Sequence, residues 1–255
     1  MCSTPADVAI ETVTAYDETA KIVNRGEMSA GGNIFSLVIK GHDGNETVRN
    51  SGTIEGSISL GGNSDTYNGR GGHVTGVING GDGPDRYILD NKTDYVFEGA
   101  DQGYDRLTVS FSMTLANDNH IEAIYLSGKG NFNLHGNKDG NVLIGNAGNN
   151  TLLGDAGSDW LRGGRGTDLL TGGEGADTFE FVARSGKEII TDFLDGIDKL
   201  QLDIGSSHDI ASVEDLLAHH THQDGANLVI SGDGTTMIIR NFDKGDLTIA
   251  DFTLD

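Results

Sequence analysis

The sequence predicts an all-β fold: a parallel β-roll, or β-solenoid, built from nonapeptide repeats and closed by a small cap of one short helix and a hairpin. Three observations carry this. Five nine-residue units run end to end from Gly136 to Glu180, reading GNKDGNVLI, GNAGNNTLL, GDAGSDWLR, GGRGTDLLT and GGEGADTFE. Each places a large apolar residue at its eighth position: Leu143, Leu152, Leu161, Leu170 and Phe179. Glycine supplies 39 of 255 residues against 2 prolines, which marks repeated tight turns rather than a disordered linker. Hydrophobic content of 36% is low for a thick core and sufficient for a thin solenoid.

Within a unit, six residues turn and three run as a short strand. The apolar eighth residue points inward, and the glycines serve the turn because they take positive φ without a Cβ clash. Two units make one coil, so each unit stacks on the unit two places along, with strands about 4.8 Å apart. The sixth positions hold Asn141, Asn150, Asp159, Asp168 and Asp177. Stacking brings Asp159 to face Asp177. Two carboxylates about 5 Å apart repel by roughly 3 kcal/mol at an effective dielectric of 20. A divalent cation between them reverses the sign. Carboxylates and turn carbonyls are hard oxygen donors that suit Ca²⁺, whereas Mg²⁺ demands tight octahedral geometry and keeps its waters. The expected ligands are Asn150, Asp155, Asp159, Asp168 and Asp177, with the turns at Gly157, Gly164, Gly166, Gly173 and Gly175. The pairs Asn150 with Asp168 and Asn141 with Asp159 supply one charge each and bind more weakly.

Residues 1–93 read as a looser solenoid. VNRGEM at Val23, VRNSGTIEG at Val48 and NGRGGHVTG at Asn68 each place Gly before a short strand, at intervals of 26 and 20 residues. From Gly52 the register tightens, ending in GGDGPDRYI, a full repeat with Asp85 sixth and Tyr87 eighth. Asp82, Gly83 and Asp85 form its expected calcium loop, with Asp65 a helper. Before residue 80, a metal-free solenoid and a metal-bearing one stand equal.

Residues 94–135 depart from period nine and read as spacer strands, with Leu107, Val109 and Phe111, then Ile121, Ile124 and Tyr125, on alternating patterns. Asp101 and Asp105 are weaker ligand candidates. The roll spans 136–181 and the cap 182–255. In the cap, Ser212 opens a helix with Val213, Leu216 and Leu217 as its apolar stripe and Asp215 three residues after the N-cap. Asn227 to Arg240 reads as a hairpin around Asp233-Gly234. His219, His220 and His222 cannot all face one point on a regular helix, so a helix end explains them better than a transition-metal site.

The two units that fit G-G-x-G-x-D-x-U-x in full, GGRGTDLLT and GGEGADTFE, resemble the RTX (repeats-in-toxin) family. The spacer's EGAD and the segment FEFVARSGKEIITDFLDGIDKLQLD are similar to those flanking the repeats in that family, the latter also to the C-terminal domain of serralysin-type proteases. The resemblance implies Ca²⁺ as the cofactor, several ions per chain, with Asp192 of TDF completing the last site. It implies export through type I secretion machinery as an unfolded chain that folds on external calcium. The end, DLTIADFTLD, resembles a type I signal but finishes on Asp255 rather than on an apolar residue.

The formal net charge of −22 disfavours nucleic acid and anionic membrane surfaces as partners. Cys2 is the single cysteine, so no intrachain disulfide forms. No positively charged, apolar leader precedes the fold, and no apolar run of about 18 residues spans a membrane. Weak extracellular calcium modules need about 0.1–1 mM ion, which argues for a secreted protein. Neither G-x-S-x-G nor H-E-x-x-H occurs. The expectation is a non-catalytic calcium-binding protein of the cell surface or matrix. The alternatives are a carbohydrate-binding or adhesion module using Tyr67, Tyr104 and Trp160 on extracellular polysaccharide, and an accessory domain of an exported polysaccharide-modifying enzyme. A membrane-lytic role has no apolar segment to support it.

Overall fold

A computed structural model describes residues 20–29, 37–202, 210–232 and 234–254. The chain packs as two compact units, one of residues up to Phe111 with Asp118–Glu122, the other of Ser112–Asn117 with Ala123 onward. Each is a parallel β-solenoid.

The first unit stacks its strands on three faces. One holds Lys21–Asn24, Thr47–Asn50, Thr66–Asn68, Arg86–Leu89 and Arg106–Val109 in parallel register. A second holds Leu37–Lys40, Ser57–Gly62, Val77–Asp82 and Tyr95–Val96. The third holds Glu27–Ser29, Thr53–Glu55 and His73–Val74, which begin directly after Gly26, Gly52 and Gly72. Strand alternation turns Ile22, Val48, Tyr67, Tyr87 and Leu107 inward as one buried column. Tyr67 therefore departs from the expectation of an exposed aromatic. It takes the inward place of its strand, and its hydroxyl accepts a hydrogen bond from Asn50 Nδ2 at 3.2 Å.

In the second unit the nonapeptides alternate between two sheets. Leu143 pairs with Leu161, and Leu161 with Phe179, on one sheet; Leu152 pairs with Leu170 on the other. Each unit thus lies on the unit two places along, as the period requires. The first sheet runs on through Lys199–Leu202 to Phe252–Leu254. The second continues through Gly186–Ile190 and Thr235–Ile239, then turns antiparallel into Asn227–Gly232 and Thr221–Asp224. That last strand exposes His222, Gln223 and Asp224, so the sheet ends on a polar edge. Asp233 of the expected turn lies outside the described residues, as do residues 203–209. The helix Val213–His219 starts where the capping pattern predicts, with Ser212 Oγ accepting from the Asp215 N–H at 3.2 Å. His219 and His220 both turn to Asp215, at 2.9 and 3.7 Å, His220 Nδ1 also meets the Ser231 carbonyl at 3.0 Å, and His222 is exposed.

Phe179 is fully buried and lies beside Phe193, with ring centroids 6.2 Å apart. Phe179→Ala is expected to cost about 3–5 kcal/mol of stability at saturating calcium. Leu194→Ala, at a residue 46% exposed, should cost under about 0.5 kcal/mol. Urea unfolding followed by the emission of Trp160, the single tryptophan, compares them.

Candidate metal centres

Each sixth-position carboxylate of the array performs two tasks. One oxygen accepts from the main chain of the previous coil. Asp159 Oδ1 takes the Asn141 N–H at 2.7 Å, Asp168 Oδ1 the Asn150 N–H at 2.7 Å, and Asp177 Oδ1 the Asp159 N–H at 2.9 Å. The other oxygen, Oδ2, is buried without a hydrogen-bond partner in Asp159, Asp168 and Asp177. These Oδ2 atoms press on the first glycine of their own unit. A Cβ added at Gly154 or Gly172 would lie 2.1 Å from the Oδ2 of Asp159 or Asp177, and one at Gly163 would lie 2.6 Å from that of Asp168.

The loops pack as closely on each other. Gly164, Gly166, Gly173 and Gly175 take φ of +92°, +118°, +108° and +143°. A Cβ at Gly173 would meet the Asp155 carbonyl at 1.8 Å, and one at Gly175 the Gly157 carbonyl at 1.6 Å. Main-chain oxygens thus line the seam between coils, on the same loops that present the Asp carboxylates. Carbonyls plus an unpaired buried carboxylate oxygen make a donor set that fits a hard divalent cation. The first two units differ. Asn137 Oδ1 accepts from the Asp139 N–H at 3.0 Å and Asn146 Oδ1 from the Gly148 N–H at 2.7 Å, closing their loops through Asx turns.

The electrostatics point the same way. Burial pushes the Asp159 carboxyl up to about 7, with Asp177 and Asp155 adding repulsion. Burial raises Asp168 to about 6 against the pull of its bond to Asn150. Asp177 is raised by burial and by Asp198 and Asp192. Charges that burial disfavours this strongly call for protons or a cation.

The remaining expected ligands scatter. Asp192 accepts from the Gly172 and Gly173 N–H groups at 3.1 and 2.9 Å, which places it on the last full loop. Asp155 sits at a surface position with φ +84° and pairs with His135 at 2.9 Å. Gly157 has φ +108°. Asn150 directs its amide to the Phe132 carbonyl at 2.8 Å, leaving its Oδ1 to accept from Asn146 N–H at 2.9 Å. In the first unit Gly83 has φ +119°, Asp85 is buried, and Asp82 is exposed, accepting from Gln102.

Glu46, Glu122 and Glu188 join the acids singled out from the sequence without having been expected. In the first unit a ladder climbs from Glu46 through Asp65, Asp85 and Asp105 to Glu122, each N–H bonded to the next carboxylate at 2.6, 2.7, 2.8 and 2.6 Å. In the second unit Asp198 extends the Asp159–Asp177 ladder, accepting from the Asp177 N–H at 2.9 Å. Glu188 stacks on Asp168, and burial together with Asp168 pushes it up to about 7. The available signal was an acid directly before a strand, recurring at 17–21 residues.

Residues 135–170 and 144–179 match the profile of the RTX calcium-binding nonapeptide repeat, in 4 copies. The array is thus made of RTX calcium-binding repeats. The fold is similar to the solution structure of the AlgE6R3 subunit from the Azotobacter vinelandii mannuronan C5-epimerase. That match has 22% identity and a TM-score of 0.37, and covers 56% of this chain and 82% of that one. It is also similar to the crystal structure of the extracellular lipase LipA from Serratia marcescens, at 15% identity and a TM-score of 0.37. That match covers 86% of this chain and 42% of the lipase. No curated protein sequence matches the chain. No helix among the described residues is long and apolar enough to cross a membrane.

Proposed function

We propose that this chain, through its array of RTX calcium-binding repeats, is a secreted, non-catalytic β-roll that folds on calcium outside the cell and acts at the cell surface or in the matrix. The observation that carries the reading is the row of buried, unpaired Oδ2 atoms of Asp159, Asp168 and Asp177 on loops whose carbonyls pack against the glycines of the next coil. Type I secretion machinery is the proposed export partner, as the resemblance of the C-terminal segment implies. Low calcium inside the cell would keep the chain open for passage, and millimolar calcium outside would close it. The ligand acts as a switch because it binds only the folded loops.

Calcium titration of the full chain, followed by far-UV circular dichroism, tests this. Asp177→Ala is expected to raise the calcium midpoint for folding roughly tenfold or more, since a hydrogen bond or ligand contact from a charged group is worth about 1.5–3 kcal/mol. A variant that folds at the same calcium concentration as the wild type would sink the reading.

A second reading, as a binder of extracellular polysaccharide, is favoured by one surface feature. Arg162, Arg165 and Arg184 line a groove of about 530 Å³ on a chain of net charge −22. Guanidinium groups so placed suit the carboxylates of an acidic glycan. Retention on an immobilised polyuronate should then fall in Arg165→Ala and Arg184→Ala. Equal retention of these variants and the wild type would dismiss it.

A further inference from the structure

The first unit holds an acid cluster outside the five-unit array, built on Asp85 of the isolated repeat GGDGPDRYI. One carboxylate oxygen each from Asp85, Glu98 and Asp105 lies within 4.8 Å of the other two, and all three residues are buried. Asp85 and Asp105 are successive rungs of the ladder along one face. Glu98 arrives from a different part of the coil, following the strand Tyr95–Val96. The Phe97 N–H bonds to the Ile78 carbonyl, which lays Glu98 over Gly80.

Gly80 explains how a third carboxylate fits. A Cβ there would stand 1.9 Å from Asp85 Oδ2 and 2.2 Å from the Tyr87 hydroxyl. With no side chain at Gly80, Asp85 Oδ2 and the Tyr87 hydroxyl close in on it, and beside them Glu98 Oε1 accepts from the Gly80 N–H at 3.0 Å and from the Tyr87 hydroxyl. In the next loop, EGADQGYD, the place of that glycine is taken by Glu98 itself.

Each carboxylate is half satisfied. Asp85 Oδ1 accepts from the Asp65 N–H, and Asp105 Oδ1 from the Asp85 N–H. The second oxygens, Asp85 Oδ2, Glu98 Oε2 and Asp105 Oδ2, are buried without a hydrogen-bond partner. Burial pushes Glu98 up to about 8 and Asp85 to about 7, and in both Asp105 adds repulsion.

We propose that Asp85, Glu98 and Asp105 form an interior site for one divalent cation of the calcium class, with Glu98 as the ligand that sets it apart from the repeat loops. Oxygens on opposite sides of a calcium ion are separated by up to about 5.2 Å, twice its bond length, and the three oxygens, all within 4.8 Å of one another, do not exceed that. Magnesium demands near-ideal octahedral geometry at about 2.0–2.1 Å, which a cluster of this spread suits less than it suits calcium. Two of the three negative charges are met by the cation, and each carboxylate also accepts one main-chain N–H, Glu98 from Gly80, Asp85 from Asp65 and Asp105 from Asp85. The site shares no ligand with the array, so it stands or falls independently of the function proposed above.

Counting bound calcium on the full chain by equilibrium dialysis tests it. Glu98→Gln should bind one ion fewer than the wild type while the calcium midpoint read at Trp160 stays the same. A folded Glu98→Gln variant with an unchanged ion count and affinity overturns the proposal, the cluster then holding protons. Should that variant not fold, terbium replaces calcium in the wild type and in Tyr87→Phe. Loss of most of the tyrosine-sensitised terbium emission in Tyr87→Phe supports an ion beside Glu98, and undiminished emission overturns it. Asp177→Ala should lower the ion count through the array and keep the Tyr87 signal, so failure of either reading shows separately.

Discussion

Chelating calcium at about pH 7.5 is expected to abolish most of the far-UV β signal and to shift Trp160 emission to that of an exposed indole. Acidifying the metal-free chain to about pH 5 is expected to restore part of both. The reason is the state of the buried acids. Asp159 is pushed up to about 7, Asp168 to about 6 and Glu188 to about 7, from ordinary values near 4. A carboxyl with a raised folded pKa favours the fold in its protonated form. Below about pH 4 it is protonated folded or unfolded, and it carries no penalty. Between about 4 and 7 the unfolded chain gives up the proton first, so the metal-free fold loses stability across that window and stays weak above it.

Calcium is expected to take the place of those protons. Its binding should therefore release them, and apparent affinity should climb about tenfold per pH unit for each proton displaced. Isothermal titration in two buffers of different ionisation enthalpy measures the release. A metal-free chain with full β content and unchanged Trp160 emission at about pH 7.5 would refute the coupling, because the net charge of −22 and the glycine entropy would then have been overcome without metal.

The second large effect comes from removing a glycine at the seam. Gly175→Ala is expected to cost about 3–5 kcal/mol, combining strain at φ +143° with a Cβ placed 1.6 Å from the Gly157 carbonyl. The neighbouring backbone cannot yield without separating the coils that hold the carbonyls. Gly196→Ala isolates the two contributions: its φ is +72°, but an added Cβ there meets nothing within 4 Å. That variant should lose only about 1–2 kcal/mol. Urea unfolding at saturating calcium, read at Trp160, gives both values. Equal losses in the two variants would mean that the coils are not packed as closely as the loop geometry requires.

Much of the roll was readable in advance, and particular residues show why. Leu143, Leu161 and Phe179 stack because a strict period of nine makes two units one coil, and a local count is enough to see it. Asp159, Asp168 and Asp177 stood out for the same reason, since the turn that carries them repeats. Asp155 shares their loop, yet its side chain turns out to His135 from a backbone place with positive φ, a direction that composition does not encode. Tyr67 looked like a surface aromatic because its segment breaks the nonapeptide period; strand alternation put it in the core column. The stacked carboxylates were expected to meet chiefly one another, and the primary partner of each is instead the main-chain N–H of the preceding coil.

The amino-acid order alone determined the repeat, the inward apolar residue of each strand and the acid-bearing turn, because each is written within nine consecutive residues. Stacking alone decided that Glu98 joins Asp85 and Asp105, that Glu188 sits on Asp168, and that Asp198 follows Asp177. Those partners lie 7–21 residues apart along the chain, and the irregular lengths of the intervening turns set which of them arrive at the same level. A parallel register adds up every turn length beneath it, so only the assembled coil can say which acids come to lie at the same level.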